Sequence, residues 1–167
     1  MFTTERLEIA PLTAADAPRL FESLRSHELY RYVPDTPPVS VEALAERYAA
    51  LAAGAPPGSD ERWYNWVASL RADGTPVGTL QATVRPATRA ASIAYVLLPG
   101  SWGRGYATEG VGRMLEHLAA IGEAERFVAE IDARNERSIA VVERLGFRFS
   151  HEEPTREGVD RVYDRSA

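Results

Sequence analysis

The sequence contains no cysteine, which removes thiol nucleophiles, thiolate metal sites and disulfide staples together. Lysine is missing too, since all 19 basic residues are arginine. That excludes a Walker A lysine and any lysine Schiff base. No apolar run approaches the ~18 residues needed to cross a bilayer, and the opening MFTTERLEIAPL lacks the basic segment and apolar core of a secretory leader. The expectation is a cytoplasmic protein without a membrane partner. An excess of positive charge is absent as well, the formal net charge being -5. Binding nucleic acid usually takes a basic patch to neutralise phosphates, so no nucleic-acid partner is expected. Only three histidines occur, His27, His117 and His151, without HxxxH spacing, and no metal is expected.

What is present fits one folded domain spanning 1–167. A chain of 167 residues buries roughly two thirds of its unfolded surface. Apolar residues at 45% and charged residues at 26% are ordinary for a globular protein, so neither disorder nor a fibrous repeat is indicated.

Glu5 to Leu12 alternates as a strand does, and Thr13 with Asp16 three residues on opens a helix whose Leu20, Phe21 and Leu24 share a face. The proline-rich stretch from Tyr30 to Val39 reads as a loop, after which Ser40 caps VEALAERYAALAA, stopping before Gly54. Trp63 to Leu70 and Val77 to Val84 read as an antiparallel hairpin turned at Ala72-Asp73-Gly74-Thr75. From Ala91 the texture changes: a continuous apolar strand SIAYVLL, then PGSWGRG, a helix from about Ala107 to Ile121, a strand RFVAEIDA, and a helix opened by Asn135 and stopped at Gly146. Short strands near Phe147 to His151 and Val159 to Arg165 close the chain. This order predicts an α/β (α+β) fold: a mixed, mostly antiparallel sheet of about seven strands, helices on both faces, and a central right-handed parallel strand-helix-strand unit.

The loop Trp102-Gly103-Arg104-Gly105-Tyr106-Ala107-Thr108 stands between a buried strand and a helix start. Free N–H groups and the helix dipole favour an anion there, and two glycines permit close approach of the backbone. By itself such a GxG is equally a tight turn. A dinucleotide fingerprint would want glycine at Thr108, and the unit lies late in the chain behind antiparallel strands, which disfavours a nicotinamide or flavin.

One strand later comes Asn135-x-x-Ser138, followed by VVERLGF. The combination resembles the GNAT superfamily of N-acetyltransferases, and YVLLPGSWGRGYATEG looks like its ribosomal-protein N-acetyltransferase (RimJ/RimL-like) branch. The resemblance runs from RLEIAPLT to VYDRS and is most specific from Ala94 to Phe147. The superfamily motif Q/R-x-x-G-x-G/A falls on Trp102 to Ala107, with Gly105 and Ala107 matching and Trp102 standing where Gln or Arg is usual.

The resemblance implies a GNAT domain that takes acetyl-coenzyme A as cosubstrate and acetylates an amine, either a peptide N-terminus or a small molecule. It implies that Tyr95, Val96 and Leu97 lie on the strand whose backbone pairs with the pantetheine arm. Trp102, Gly103, Arg104, Gly105, Tyr106, Ala107 and Thr108 would hold the pyrophosphate, and Asn135 and Ser138 would contact the cofactor. Asn135 also reads as a plain helix N-cap.

Direct attack by an amine asks for a base, a donor to the oxyanion and a proton for the departing thiolate. A backbone N–H from Val96 or Leu97 would serve the oxyanion. Glu130 occupies the place of the glutamate base in one ribosomal-protein acetyltransferase of the superfamily; its other reading is an exposed strand residue balancing Arg126 or Arg134. The tyrosine acid of that comparison is replaced by Val142, so the branch suggests Ser138 as proton donor, with Tyr163 a third option. Glu152, Glu153, Glu157 and Asp160 form an acidic hairpin, which also reads as a solvated turn. Trp63, Tyr64, Trp66, Tyr30 and Tyr32 are candidates to wall the acceptor pocket or to pack the sheet. The rival from another class is a non-catalytic acyl-coenzyme A sensor. Oligomeric state is open, with a homodimer among the arrangements.

Overall fold

The computed structural model describes residues 1–33, 35–156 and 158–167. The chain opens with two strands, β1 (Phe2–Thr3) and β2 (Leu7–Pro11). Thr13 and Asp16 then form the expected capping box: the Thr13 N–H donates to Asp16 Oδ2 at 2.8 Å. A 3₁₀ turn at Ala14–Asp16 leads into helix α1 (Ala17–Leu24). Helix α2 (Val41–Ala53) begins where Ser40 Oγ accepts the Ala43 N–H at 3.1 Å and ends at Gly54. Strands β3 (Arg62–Leu70), β4 (Pro76–Arg85) and β5 (Ala90–Leu97) form an antiparallel meander. Helix α3 (Tyr106–Ala120), strand β6 (Arg126–Asp132), helix α4 (Glu136–Arg144), and strands β7 (Arg148–Pro154) and β8 (Val159–Ser166) complete the order.

One mixed sheet runs β1-β2-β3-β4-β5-β6-β8-β7. It has eight strands rather than about seven, because Phe2–Thr3 pairs with Glu8 and Ile9. Two residues are too few to show an alternation in sequence. Among the described residues the pair β5·β6 is parallel and the other neighbours are antiparallel.

Strand alternation divides the apolar side chains between two cores. Trp66 and Ala68 of β3 join Leu80, Val84, Phe127, Ala129 and Ile131 beneath α3 and α4, where Val111, Met114, Leu115 and Leu118 are buried. Val67, on the opposite face, joins Leu20, Leu24, Leu44 and Tyr48 beneath α1 and α2. The sheet therefore carries helices on both faces.

Candidate active site

The two parallel strands separate at the centre of the sheet. Pairing of β5 with β6 covers Ala90↔Arg126, Ala91↔Phe127 and Ser92↔Val128. Yet β5 continues to Leu97 and β6 to Asp132. From Ile93 onward β5 stays laddered to β4 alone, with Leu97 against Gly78 and Val96 against Thr79. An opening between β5 and β6 results.

Backbone polar groups of successive strand residues point to opposite edges. The Leu98 N–H donates to the Val77 carbonyl at 2.9 Å, toward β4. The Leu97 carbonyl instead accepts the Trp102 indole N–H at 2.6 Å. Leu97 thus turns its backbone groups away from β4 and toward the opening, while the register aims those of Val96 at Thr79. Tyr95 bridges the gap: its hydroxyl donates to the Ser138 carbonyl at 3.1 Å, tying β5 to the first turn of α4. Burial pushes the Tyr95 phenol up to about 12, with the Ser138 side-chain hydroxyl a smaller opposing influence, so it stays a neutral donor. The Ser138 N–H donates to Asn135 Oδ1 at 3.2 Å. Asn135 is accordingly the N-cap of α4. The Ser138 hydroxyl lies within hydrogen-bonding reach of the Tyr95 phenol.

At the C-terminal end of β5, Gly103 and Gly105 adopt φ of 73° and 80°. Both values lie in the left-handed region that glycine enters freely. Gly105 is the N-cap of α3 and supplies no capping side chain. Its carbonyl accepts the Glu109 N–H at 3.1 Å, so the N–H groups of Tyr106, Ala107 and Thr108 precede the first intrahelical bond. A Cβ on Gly103 would meet nothing within 4 Å, and one on Gly105 only Arg6 Nη2 at 3.5 Å. The loop therefore presents open space before a helix N-terminus, a cradle suited to a diphosphate.

The opposite side of the opening is built from side chains. In β6, Phe127, Ala129 and Ile131 enter the core under α3 and α4, which turns Glu130 to the face of α1 and α2. There it lines a cavity of about 420 Å³ with Leu51, Trp63, Asn65, Gln81, Thr83, Ser92 and Ala94. Gln81 Nε2 donates to Asn65 Oδ1 at 3.0 Å, and Asn65 Nδ2 to the Leu51 carbonyl at 3.2 Å, so the amide pair is fixed. The basic residues that were candidates to balance Glu130 are engaged elsewhere. Arg126 lies 3.9 Å from Asp164, and Arg134 holds Asp132 at 2.6 Å. Hydrogen bonds from Arg134 keep the Asp132 carboxyl below the usual carboxylate range. Among the described residues no hydrogen bond or ion pair engages the Glu130 carboxylate.

Several other candidates lie apart from this cavity. Tyr163 is 2% exposed, paired with Ala129 on the α3/α4 face and packed edge-on to Phe149 at 5.9 Å. It is a core residue. Trp63 lines the cavity, whereas alternation sends Tyr64 and Trp66 to the other face, stacked at 5.6 Å. The Tyr30 hydroxyl donates to the Leu24 carbonyl. Glu152 pairs with Arg161 and Glu153 with His151, all exposed on the last hairpin; Glu157 lies outside the described residues. His117 stacks on Phe2 at 4.4 Å, and burial lowers its pKa. A larger open cleft of about 790 Å³ lies between the end of α1, residues 37–39 and Pro99–Gly100, away from Glu130.

Residues 6–148 match the family model described as acetyltransferase (GNAT) domain. The chain is 26% identical over 165 residues to the uncharacterized N-acetyltransferase YoaA of Bacillus subtilis (strain 168), spanning 96% of this chain and 85% of YoaA. Its fold is similar to that of RimL, a ribosomal L7/L12 α-N-protein acetyltransferase solved with coenzyme A, with TM-score 0.85 and 19% identity over 98% of this chain and 95% of RimL. It is also similar to the aminoglycoside acetyltransferase AAC(6')-Ib solved with coenzyme A, with TM-score 0.78 and 19% identity over 96% and 94% of the two chains. At such identities these two likenesses are of fold.

Proposed function

Because this chain belongs to the GNAT acetyltransferase family, we propose that it moves the acetyl group of acetyl-coenzyme A onto a primary amine held beside Glu130. The glycine loop and the first turn of α3 hold the pyrophosphate of the donor through backbone N–H groups. The free edge of β5, at Tyr95 and Leu97, receives the pantetheine arm as a short strand would. Asn135 and Ser138 face it from the start of α4.

The acceptor enters from the other face, through the cavity lined by Trp63, Gln81, Thr83, Ser92 and Glu130. Glu130 takes a proton from the ammonium, directly or through one water. The Leu97 N–H stabilises the charge developing on the thioester oxygen. Ser138, whose hydroxyl lies beside the Tyr95 phenol, supplies the proton to the departing thiolate. One observation carries the reading: a carboxylate without a charge partner faces a cavity beside the place where β5 and β6 part. The mixture of one carboxylate with amides and hydroxyls suits an amine bearing further polar groups, whether a peptide N-terminus or a small molecule.

The test is Glu130→Gln, which keeps the shape and removes the base. Thiol release from acetyl-coenzyme A, with an amine the wild type accepts, falls by roughly 10²-fold at neutral pH while coenzyme A affinity persists. The loss shrinks as pH nears the acceptor's own pKa, because solution then supplies free amine. A folded glutamine variant within threefold of wild type at neutral pH would remove Glu130 from the mechanism.

A further inference from the structure

The start of the chain reaches the glycine loop through one side chain. Arg6 stands immediately before β2, and its Nη1 donates to the Arg104 carbonyl at 3.0 Å. Its Nε and Nη2 reach Glu109 Oε2 at 2.7 and 2.6 Å. The guanidinium lies 4.6 Å over the Tyr106 ring. The other Glu109 oxygen accepts the Arg6 backbone N–H at 2.9 Å and the Thr4 hydroxyl. Burial opposes the Glu109 charge, but these bonds and the Arg6 charge outweigh it and hold the carboxyl below its usual range.

We propose that Arg6 is a positioning residue that sets the glycine loop in its anion-binding orientation. The argument starts from the peptide unit joining Arg104 to Gly105. A trans peptide is planar, with its C=O and N–H pointing in opposite directions. Arg6 holds the Arg104 carbonyl against the body of the protein, so the Gly105 N–H of that same unit is turned outward, beside the free N–H groups of α3. Without a holder this unit would turn easily, because the residues flanking Arg104 are Gly103 and Gly105, both at positive φ.

The same guanidinium has a second effect. A carboxylate in the first turn of α3 suits the helix dipole but repels an incoming phosphate. Arg6 neutralises Glu109 and binds it on the β2 side. An ion pair whose arginine side chain is 44% exposed adds little to stability in its own right. Its effect is therefore expected in donor binding.

This inference rests on the reading that the loop holds the pyrophosphate, and the experiment separates the two. Arg6→Gln and Arg6→Lys are compared with wild type using acetyl-coenzyme A and S-acetylpantetheine, a donor without the pyrophosphate, on the same amine. The readout is the ratio of kcat/KM for the two donors. Partial unfolding cancels in that ratio, since the same folded fraction turns over both donors. Arg6→Gln lowers the ratio about tenfold, and Arg6→Lys stays within threefold of the glutamine variant, because an ammonium cannot span carbonyl and carboxylate as a planar fork does. A fall of less than threefold in Arg6→Gln, or a lysine variant that restores the wild-type ratio, overturns the role of Arg6. A wild type with no preference for acetyl-coenzyme A over S-acetylpantetheine overturns the loop reading itself, and this proposal with it.

Discussion

Gly78 tests whether the backbone of β5 is part of the machinery. A Cβ placed there would lie 2.1 Å from the Val96 carbonyl oxygen and 2.9 Å from Leu97 Cα. Both are main-chain atoms of the strand that lines the opening, so no side-chain rotation relieves the clash. Ordinary C···O contacts begin near about 3.3 Å, and Gly78→Ala must therefore push β5 away from β4 by about 1 Å.

A shift of that size at Val96 and Leu97 moves the proposed oxyanion donor and the edge proposed to receive pantetheine. Misplacement by about 1 Å at a reacting centre costs on the order of 10²-fold in rate. The strain also costs about 1–3 kcal/mol of stability, as overpacking does, or roughly 2–12 °C in melting temperature for a chain of this size. The assay pairs thermal unfolding with thiol release from acetyl-coenzyme A under saturating amine. Expected is a folded protein with kcat down about 10²-fold. A folded Gly78→Ala protein with kcat within threefold of wild type would show that the position of β5 at Leu97 does not govern the reaction.

Gly105→Val places a β-branched residue at φ 80°, which such side chains avoid, although the Cβ itself would meet only Arg6 Nη2 at 3.5 Å. Coenzyme A affinity is expected to fall at least tenfold, about 1.4 kcal/mol, in calorimetric titration. Unchanged affinity in a folded variant would place the pyrophosphate elsewhere. Tyr95 and Tyr48 are both pushed up to about 12 by burial. Between pH 10 and 12 the unfolded chain loses those protons while the folded one keeps them, so stability falls as pH rises through that window and is intact below it. Burial raises Tyr30 and Tyr64 as well, so Tyr95→Phe removes one contribution among several, and the melting temperature should decline less steeply above pH 10; an identical slope would mean that Tyr95 ionises in the folded state as it does in the unfolded one.

Local signals carried most of the fold. The capping residues Thr13, Asp16 and Ser40 and the stop at Gly54 stand out in sequence because each meets a local need of the backbone. The parallel unit was marked by a continuous apolar strand followed by glycines and an amphipathic helix, although Ser92 and Ala94 of that strand are exposed at the cavity. Where reading failed, the cause was long-range. Strand alternation separates Trp63 from Tyr64 and Trp66, but which partner face was to be the cavity depended on register with β4. Arg6 gave no local sign of its role, since its partners Arg104 and Glu109 lie about a hundred residues away.

The two sides of the opening differ in what encodes them, and this explains why the proposed donor side could be read from the sequence and the proposed acceptor side could not. The proposed donor side is made of main-chain groups: the N–H groups around Gly105, the free edge at Leu97 and the start of α4. Such groups need only glycines and a topology, both of which a sequence displays. The proposed acceptor side is made of side chains from four strands and a helix, namely Trp63, Gln81, Ser92, Glu130 and Leu51. None is distinctive alone, and they converge only because Trp63 pairs with Thr83, Thr83 with Ser92 and Ser92 with Val128, two residues before Glu130. On the proposed reading, a substitution in this set is expected to change the amine without disturbing donor binding. Acceptor preference should accordingly follow these side chains rather than the fold, which the chain shares with enzymes named for both ribosomal-protein and aminoglycoside acetylation.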